Sequence, residues 1–293
     1  MLYLGVGMKV FVLGANGMLG STMFRVLYEL PGLEVFGTVR SGSVASSFSE
    51  GLASRLIVGI DAENHDTLMS FFAKLKPDVV VNCVGLVKQL AGAEAPLAAI
   101  SVNSLLPHRL ASLCEIAGAR LVHISTDCVF SGDRGDYREV DTPDARDIYG
   151  KTKFLGEVKE PHTITLRTSI IGHQLRGAYS LVDWFLSQEG YCNGYTRAIF
   201  SGLPTIVLAQ IVRDIVIPRP ELYGVYHVAT QPISKYELLK LIANVYGKEI
   251  EIIPSDQLVV DRSLNADRFR DATGYVAPNW PELIELMHKS KNM

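Results

Sequence analysis

The stretch K-V-F-V-L-G-A-N-G-M-L-G, Lys9 to Gly20, decides the fold. Lys9–Leu13 reads as a short apolar strand, and a helical pattern runs on from the last glycine to Leu30. Between them, Gly14, Gly17 and Gly20 form G-x-x-G-x-x-G. Glycines there let the backbone turn tightly and approach a pyrophosphate, which sits on the positive end of the helix dipole. The plain alternative is a glycine-rich turn without function. The strand before it and the helix after it weigh against that.

Reading outward, Glu34–Val39 is a second strand, and Arg40 follows it. At that point a dinucleotide fold selects its cofactor. An acid bonds the ribose 2′-hydroxyl, whereas an arginine suits a 2′-phosphate. Arg40, helped by Ser41 or Ser43, argues for NADPH rather than NADH; a solvated surface arginine is the competing reading. Gly42–Gly51 reads as loop, Arg55–Ile60 as a third strand and Asn64–Leu75 as a helix. Asp61 between them suits either the adenine edge or the cap of that helix. Val79–Val81 is a fourth strand. The small residues Asn82, Cys83, Val84 and Gly85 at its carboxyl end fall where such sheets bind ligands. Glu94–Ala117 is a long helix stopped by Gly118. It carries Asn103, a polar amide in an apolar stripe of the kind a core hydrogen bond often satisfies.

A fifth strand, Ala119–Ile124, delivers Ser125 and Thr126. A later helix opens with Tyr149 and carries Lys153 four positions on, so phenol and ammonium share one face. A cation beside a phenol favours the phenolate and lowers its pKa. A phenol tuned towards neutrality can exchange a proton with a carbonyl or alcohol, with Thr126 holding the oxygen. Tyr-x-x-x-Lys is a common spacing by itself; a nicotinamide site is what gives it meaning.

Strands and helices alternating in this way predict a parallel, doubly wound sheet. In the second half, Thr163–Ile171 is a strand, Tyr179–Ser187 a helix, and Gly190–Phe200 loops with a short strand. Leu203–Ile217 is a helix with Pro204 near its start, and Gly224–Ala229 a strand. Ser234–Tyr246 is a helix with Ser234 and Glu237 as a capping box, Ile250–Ile253 a strand, and Pro281 opens a last helix. The expected division is a Rossmann-type domain over 8–170, to which 201–230 returns. A smaller α/β lobe is built from 171–200 and 231–293.

The net charge of −3, without a basic run, excludes a nucleic-acid binder. Cys83, Cys114, Cys128 and Cys192 are scattered, as expected for reduced thiols in a cytoplasmic protein. The histidines show no metal-ligand spacing, and His123 reads as a core residue; no metal is expected. No apolar run is long enough for a membrane span. The opening M-L-Y-L-G-V-G lacks the marks of a signal peptide. Met8-Lys9-Val10 reads as a natural start, with residues 1–7 as an extension.

Taken together, these motifs resemble the extended short-chain dehydrogenase/reductases, and within them the dTDP-4-dehydrorhamnose reductases and related nucleotide-sugar 4-ketoreductases. The resemblance rests on G-A-N-G-M-L-G, on S-T-D-C-V-F-S-G at Ser125–Gly132 and on Y-G-K-T-K-F-L-G-E from Tyr149. L-R-T-S-I-I-G, Ser201–Thr205, Arg262–Asn265 and Pro278–Trp280 extend it over almost the whole chain. It implies reduction of the 4-keto group of a nucleotide-linked 6-deoxy sugar, for surface polysaccharide biosynthesis. Tyr149 would be the proton donor, Lys153 its ribose-binding partner and Thr126 the holder of the carbonyl oxygen. Around NADPH it places Gly14, Asn16, Gly17, Met18, Leu19, Arg40, Asp61, Ala62, Cys83, Val84, Gly85 and Asn103, the last as part of a proton relay. Towards the sugar nucleotide it places Val87, Lys88, Asp127, Cys128, Val129, Trp184 and Arg262; for Arg262 a surface ion pair is the alternative. Sugar-nucleotide dehydratases carry an Asp-Glu pair where this chain has Asp127-Cys128, which favours reduction over elimination. Two other readings stay open: an NADP-binding regulatory subunit like that of methionine adenosyltransferase, and a sugar-nucleotide epimerase. The choice between dTDP and UDP also stays open, as does assembly into a homo-oligomer.

Overall fold

A computed structural model describes residues 7–86, 95–177 and 179–292. Strands β1 (Met8–Leu13), β2 (Leu33–Val39), β3 (Leu56–Val58), β4 (Val79–Asn82), β5 (Arg120–Thr126) and β6 (Thr163–Thr168) join the Gly224–His227 strand in one sheet. The spatial order is β3-β2-β1-β4-β5-β6 and then Gly224–His227, with every pairing parallel. Two strands side by side at the sheet centre, β1 and β4, run outward in opposite topological directions. That reversal opens the crevice at their carboxyl ends.

Side chains alternate across a strand, so one apolar run can feed two cores. Val10, Val12, Val79, Val81, Val122 and Ile124 pack on one face, with the helices Met18–Tyr28, Thr205–Ile211 and Trp280–Lys289. Phe11, Leu13, Val80 and Leu121 pack on the other, with His65–Leu75 and Leu106–Ala117. All seven residues of β5 are buried, which is why that strand reads as an unbroken run.

Several elements depart from the sequence reading. Gly42–Ser47 and Glu50–Ala53 are short helical turns within the expected loop. The long helix is described from Pro96, and Ile100–Leu105 is wound as π-helix before Leu106–Ala117 resumes the α form. The expected Thr163–Ile171 strand is broken after Thr168; Ile170–Ile171 pairs instead with Leu203–Pro204, and the following helix begins at Thr205. Gly190–Phe200 holds two strands: Tyr191–Tyr195 pairs with Glu251–Ser255, and Ala198–Phe200 lies between Ile233–Ser234 and Val260–Asp261. Gly194 disguises the first of these; a Cβ there would come within 2.7 Å of the Tyr236 ring, so only glycine fits. The helix Asp267–Thr273 was not anticipated at all.

A buried polar cluster crosses the sheet just below the crevice. Arg167 on β6 grips Glu157 with two hydrogen bonds of 2.7 Å, and the two side chains are 3% and 1% exposed. Ser125 on β5 donates to the same carboxylate at 2.8 Å. His227 on the last strand donates through Nδ1 to the Tyr137 carbonyl, which leaves Nε2 to accept from Arg167. Burial and the neighbouring guanidinium bring the His227 imidazole down to about 3, so it stays neutral. Removing one partner of such a pair strands the other charge in the interior. Arg167→Met should therefore cost about 3–5 kcal/mol in urea unfolding, and Glu157→Leu in the same chain should recover much of it. A single variant within about 1 kcal/mol of wild type would show that the pair is not a constraint on the fold.

Candidate active site

The glycine turn brings two strand ends together. Gly14 has φ +78°, and a Cβ on it would lie 3.0 Å from the Val84 side chain. A Cβ on Gly20 would lie 2.1 Å from the Gly14 carbonyl oxygen, so the helix can start this close to β1 only with glycine there. The N-terminus of Met18–Tyr28 has no side-chain cap, and Asn16 and Gly17 are exposed. Its first N–H groups are thus free to meet an anion, so the turn fits a cofactor pyrophosphate. Met18 is half-buried, and Leu19 points into the core, where its backbone alone can serve a ligand.

Arg40 is exposed immediately after β2, and Ser41 accepts from the Ser43 N–H beside it. Asp61 accepts from the Glu63 N–H. The cap of the next helix is Asn64, which accepts from Thr67, so the capping role considered for Asp61 belongs to another residue. Ala62 packs at the edge of the core around Phe11. At the end of β4, Asn82 accepts from Val84 N–H, and burial pushes the Cys83 thiol up to about 12, leaving it neutral. Gly85 would bring a Cβ to 3.5 Å from Asn103 Oδ1.

The crevice wall is completed from β5. Thr126 accepts from the Cys128 N–H, donates to Asp127 at 3.1 Å and shares a hydrogen bond with the Tyr149 phenol. Asp147 caps the tyrosine helix by accepting from Gly150 N–H. A Cβ on Gly150 would sit 2.1 Å from the Cys128 carbonyl oxygen, which explains the glycine in Y-G-K: the helix lies directly on the 127–129 turn. Lys153 is buried and donates to the Ile124 carbonyl at 2.7 Å.

The electrostatics correct one expectation. The phenol of Tyr149 lies above its ordinary pKa, not below it, because burial and the neighbouring Cys128 and Asp127 disfavour the phenolate. Its bond to Thr126 pulls the other way and does not win. Burial lowers Lys153 to about 8, against the opposing pull of Glu157 and Cys83. Asp127 is raised by burial, with Arg262 and its hydrogen bonds to Thr126 and Cys128 offsetting part of the shift.

Other expected residues fall in different surroundings. Asn103 Oδ1 accepts from the Leu86 N–H at 2.9 Å, while its amide nitrogen donates to Leu86 O and Thr152 Oγ1. It pins the loop after β4 to the tyrosine helix. Cys128 is half-buried next to Thr126. Val129 is fully buried with Phe130, Tyr137 and Leu264, so its side chain is core rather than pocket. Arg262 donates to the Phe130 carbonyl at 2.8 Å. Trp184 is 38% exposed on the separate helix Leu181–Ser187. Val87 and Lys88 lie outside the described residues. Three further contacts had no sequence signal. His173 bonds Asp183 at 2.6 Å and the Tyr246 hydroxyl at 2.8 Å. Arg176 donates to the Ser43 carbonyl at 2.7 Å, tying the 173–177 segment to the loop after Arg40.

Lys153 leaves a signature in stability. Its folded pKa of about 8 lies below the ordinary lysine value of 10.5, so between them the unfolded chain binds more protons and stability rises with pH. Below about 8 the buried charge costs up to about 3 kcal/mol. Lys153→Met should raise the melting temperature at pH 7, and the gain should shrink as the pH approaches 10.5. Melting curves with a pH-independent difference would contradict this.

Comparison with known proteins follows the same outline. The family described as RmlD substrate binding domain matches residues 8–289. The chain is 28% identical over 278 residues to the probable low-salt glycan biosynthesis reductase Agl14 of Haloferax volcanii, covering 90% of this chain and 87% of that protein. It is 27% identical over 259 residues to a dTDP-4-dehydrorhamnose reductase of Aggregatibacter actinomycetemcomitans, covering 84% and 82%. In fold it is similar to a dTDP-4-dehydrorhamnose reductase of Bacillus anthracis solved in complex with NADP, with TM-score 0.78, 22% identity and coverage of 97% and 99%. The chain belongs to the RmlD substrate binding domain family.

Proposed function

We propose that this protein uses NADPH to reduce the 4-keto group of a nucleotide-linked 6-deoxy sugar. The observation that carries the reading is the bond between Thr126 and Tyr149 at the carboxyl edge of a parallel sheet whose first helix begins uncapped, with the buried Lys153 held on the Ile124 carbonyl of the same strand. The family and the reductases in it support the same reading. Residues 8–170 and 201–230 would form the cofactor domain, and 171–200 with 231–293 the substrate lobe.

The cofactor supplies the hydride when bound. Around it, backbone N–H groups at Gly14–Leu19 hold the pyrophosphate, and Arg40 with Ser41 or Ser43 takes the 2′-phosphate. Lys153 bonds the ribose and places a cation beside the phenol. Burial keeps Tyr149 protonated at neutral pH, which suits a group that must donate. Thr126 orients the carbonyl oxygen. As that oxygen becomes an alkoxide it takes the phenolic proton, and Thr126 and Lys153 stabilise the phenolate left behind. Asp127 with Cys128, in place of two acids, offers no second carboxyl for elimination.

The test is NADPH oxidation followed by absorbance, with dTDP- and UDP-linked 4-keto-6-deoxy sugars made in place by a dehydratase. Tyr149→Phe should lower turnover by about 10²–10⁴-fold, and the preferred nucleotide would name the substrate. Tight NADPH binding without turnover on either sugar would mark a binding subunit instead. Oxidised nicotinamide retained through purification would mark an epimerase. Arg40→Ala should weaken NADPH by about 10–100-fold, the worth of a charged hydrogen bond, and leave NADH unchanged. An unaltered preference would remove Arg40 from the cofactor site.

A further inference from the structure

A cavity of about 340 Å³ lies between the first helix, the start of the Thr205–Ile211 helix and the 173–175 segment. Thr22 and Arg25 of that helix line it, with Ser47, Gln174, Thr205 and Lys291. None of its lining residues belongs to the glycine turn or to the Thr126–Lys153 group. The volume is within the range of small-molecule sites.

Its chemistry is one-sided. Among the described residues, Arg25 and Lys291 line it and no carboxylate does. A guanidinium has five N–H donors. Arg25 spends one of them on the Ser47 carbonyl at a long 3.4 Å and rests its charged end over the Phe48 ring. Among the described residues no acid pairs with it, and burial alone shifts it downwards. Gln174 uses its side-chain oxygen to accept from Tyr179 N–H, and its amide nitrogen has no partner among the described residues. Thr22 and Thr205 share a hydrogen bond of 3.3 Å at the wall. A half-buried arginine without a counter-ion, facing an amide donor, hydroxyls and a lysine, is the donor set that oxyanions satisfy bidentately.

We propose that this cavity binds a small phosphate-bearing anion, separate from the cofactor and the sugar nucleotide, with Arg25 as its principal ligand. Such an anion would touch the 173–177 segment. That segment bonds both the loop after Arg40, through Arg176, and the Leu181–Ser187 helix, through His173 and Gln174 to Asp183. Occupancy would therefore brace a connection between the two sides of the reaction crevice.

The test uses inorganic phosphate as the probe, titrated calorimetrically into the full chain in a phosphate-free buffer. The titration is run on the apo protein and again with NADPH and dTDP both saturating. Binding should survive saturation. Arg25→Gln should weaken it by about tenfold or more, and the exposed Lys291→Gln by a smaller factor. Arg40→Ala should leave it unchanged. Three results would overturn the proposal: loss of the phosphate signal under NADPH and dTDP, equal affinity in Arg25→Gln and wild type, or no heat at tens-of-millimolar phosphate. Should Arg25→Gln fail to fold, Lys291→Gln carries the comparison, and an affinity equal to wild type there would count against the site. The apo titration does not depend on the reductase reading, so failure of either is separable from failure of the other.

Discussion

The bidentate contact between Arg167 and Glu157 is the constraint on which the crevice depends. A buried ion pair is a poor source of net stability, because desolvation offsets most of the attraction. Its value here is geometric. Glu157 follows the tyrosine helix, Arg167 lies on β6, Ser125 on β5 and His227 on the outermost strand. Four separate pieces of chain must meet within hydrogen-bond distance before any of these polar groups is satisfied. The position of the tyrosine helix over the end of β5 is thereby fixed from its far end, while Asp147 caps its first turn.

Close approach does the rest. Gly150 lets the helix rest on the Cys128 carbonyl, and Gly156 lets it rest on the Asn103 carbonyl, where a Cβ would stand 1.9 Å away. With backbone against backbone, Tyr149 and Lys153 are driven into low-dielectric surroundings. This is the origin of the opposed shifts, the phenol upwards and the ammonium downwards. The same desolvation strengthens the hydrogen bonds each group makes, Tyr149 with Thr126 and Lys153 with the Ile124 carbonyl.

The main sheet could be read from sequence because parallel strands buried on both faces leave continuous apolar runs, as in Val79–Val81 and β5, and because Gly14–Gly20 punctuates strand and helix. The placing of Thr126 at the end of a strand, and of Tyr149 and Lys153 on one helix, was readable from local pattern too. What could not be read depended on tertiary contact. The sign of the Tyr149 shift follows from burial against Cys128 and Asp127, which no i to i+4 spacing reveals. Asn103 was legible as a polar residue in a helix, but its bonds run to Leu86 and Thr152, and its helix is locally unwound into the wider π form. Gly190–Phe200 was legible as one short strand where there are two, because Asn193 and Gly194 interrupt Tyr191–Tyr195, which pairs only with residues much later in the chain.

The outermost strand has a consequence for how the molecule is made. The chain leaves β6 at Thr168 and returns to pair with it only at Gly224, after building Tyr191–Tyr195 and Thr205–Ile211 on the way. Until then Arg167 lacks His227, and the β6 edge is open to solvent and to other chains. An emerging polypeptide would therefore carry a nearly complete dinucleotide half with one raw edge, and the arrival of Gly224–His227 would act as the closing event that protects it from association with its neighbours.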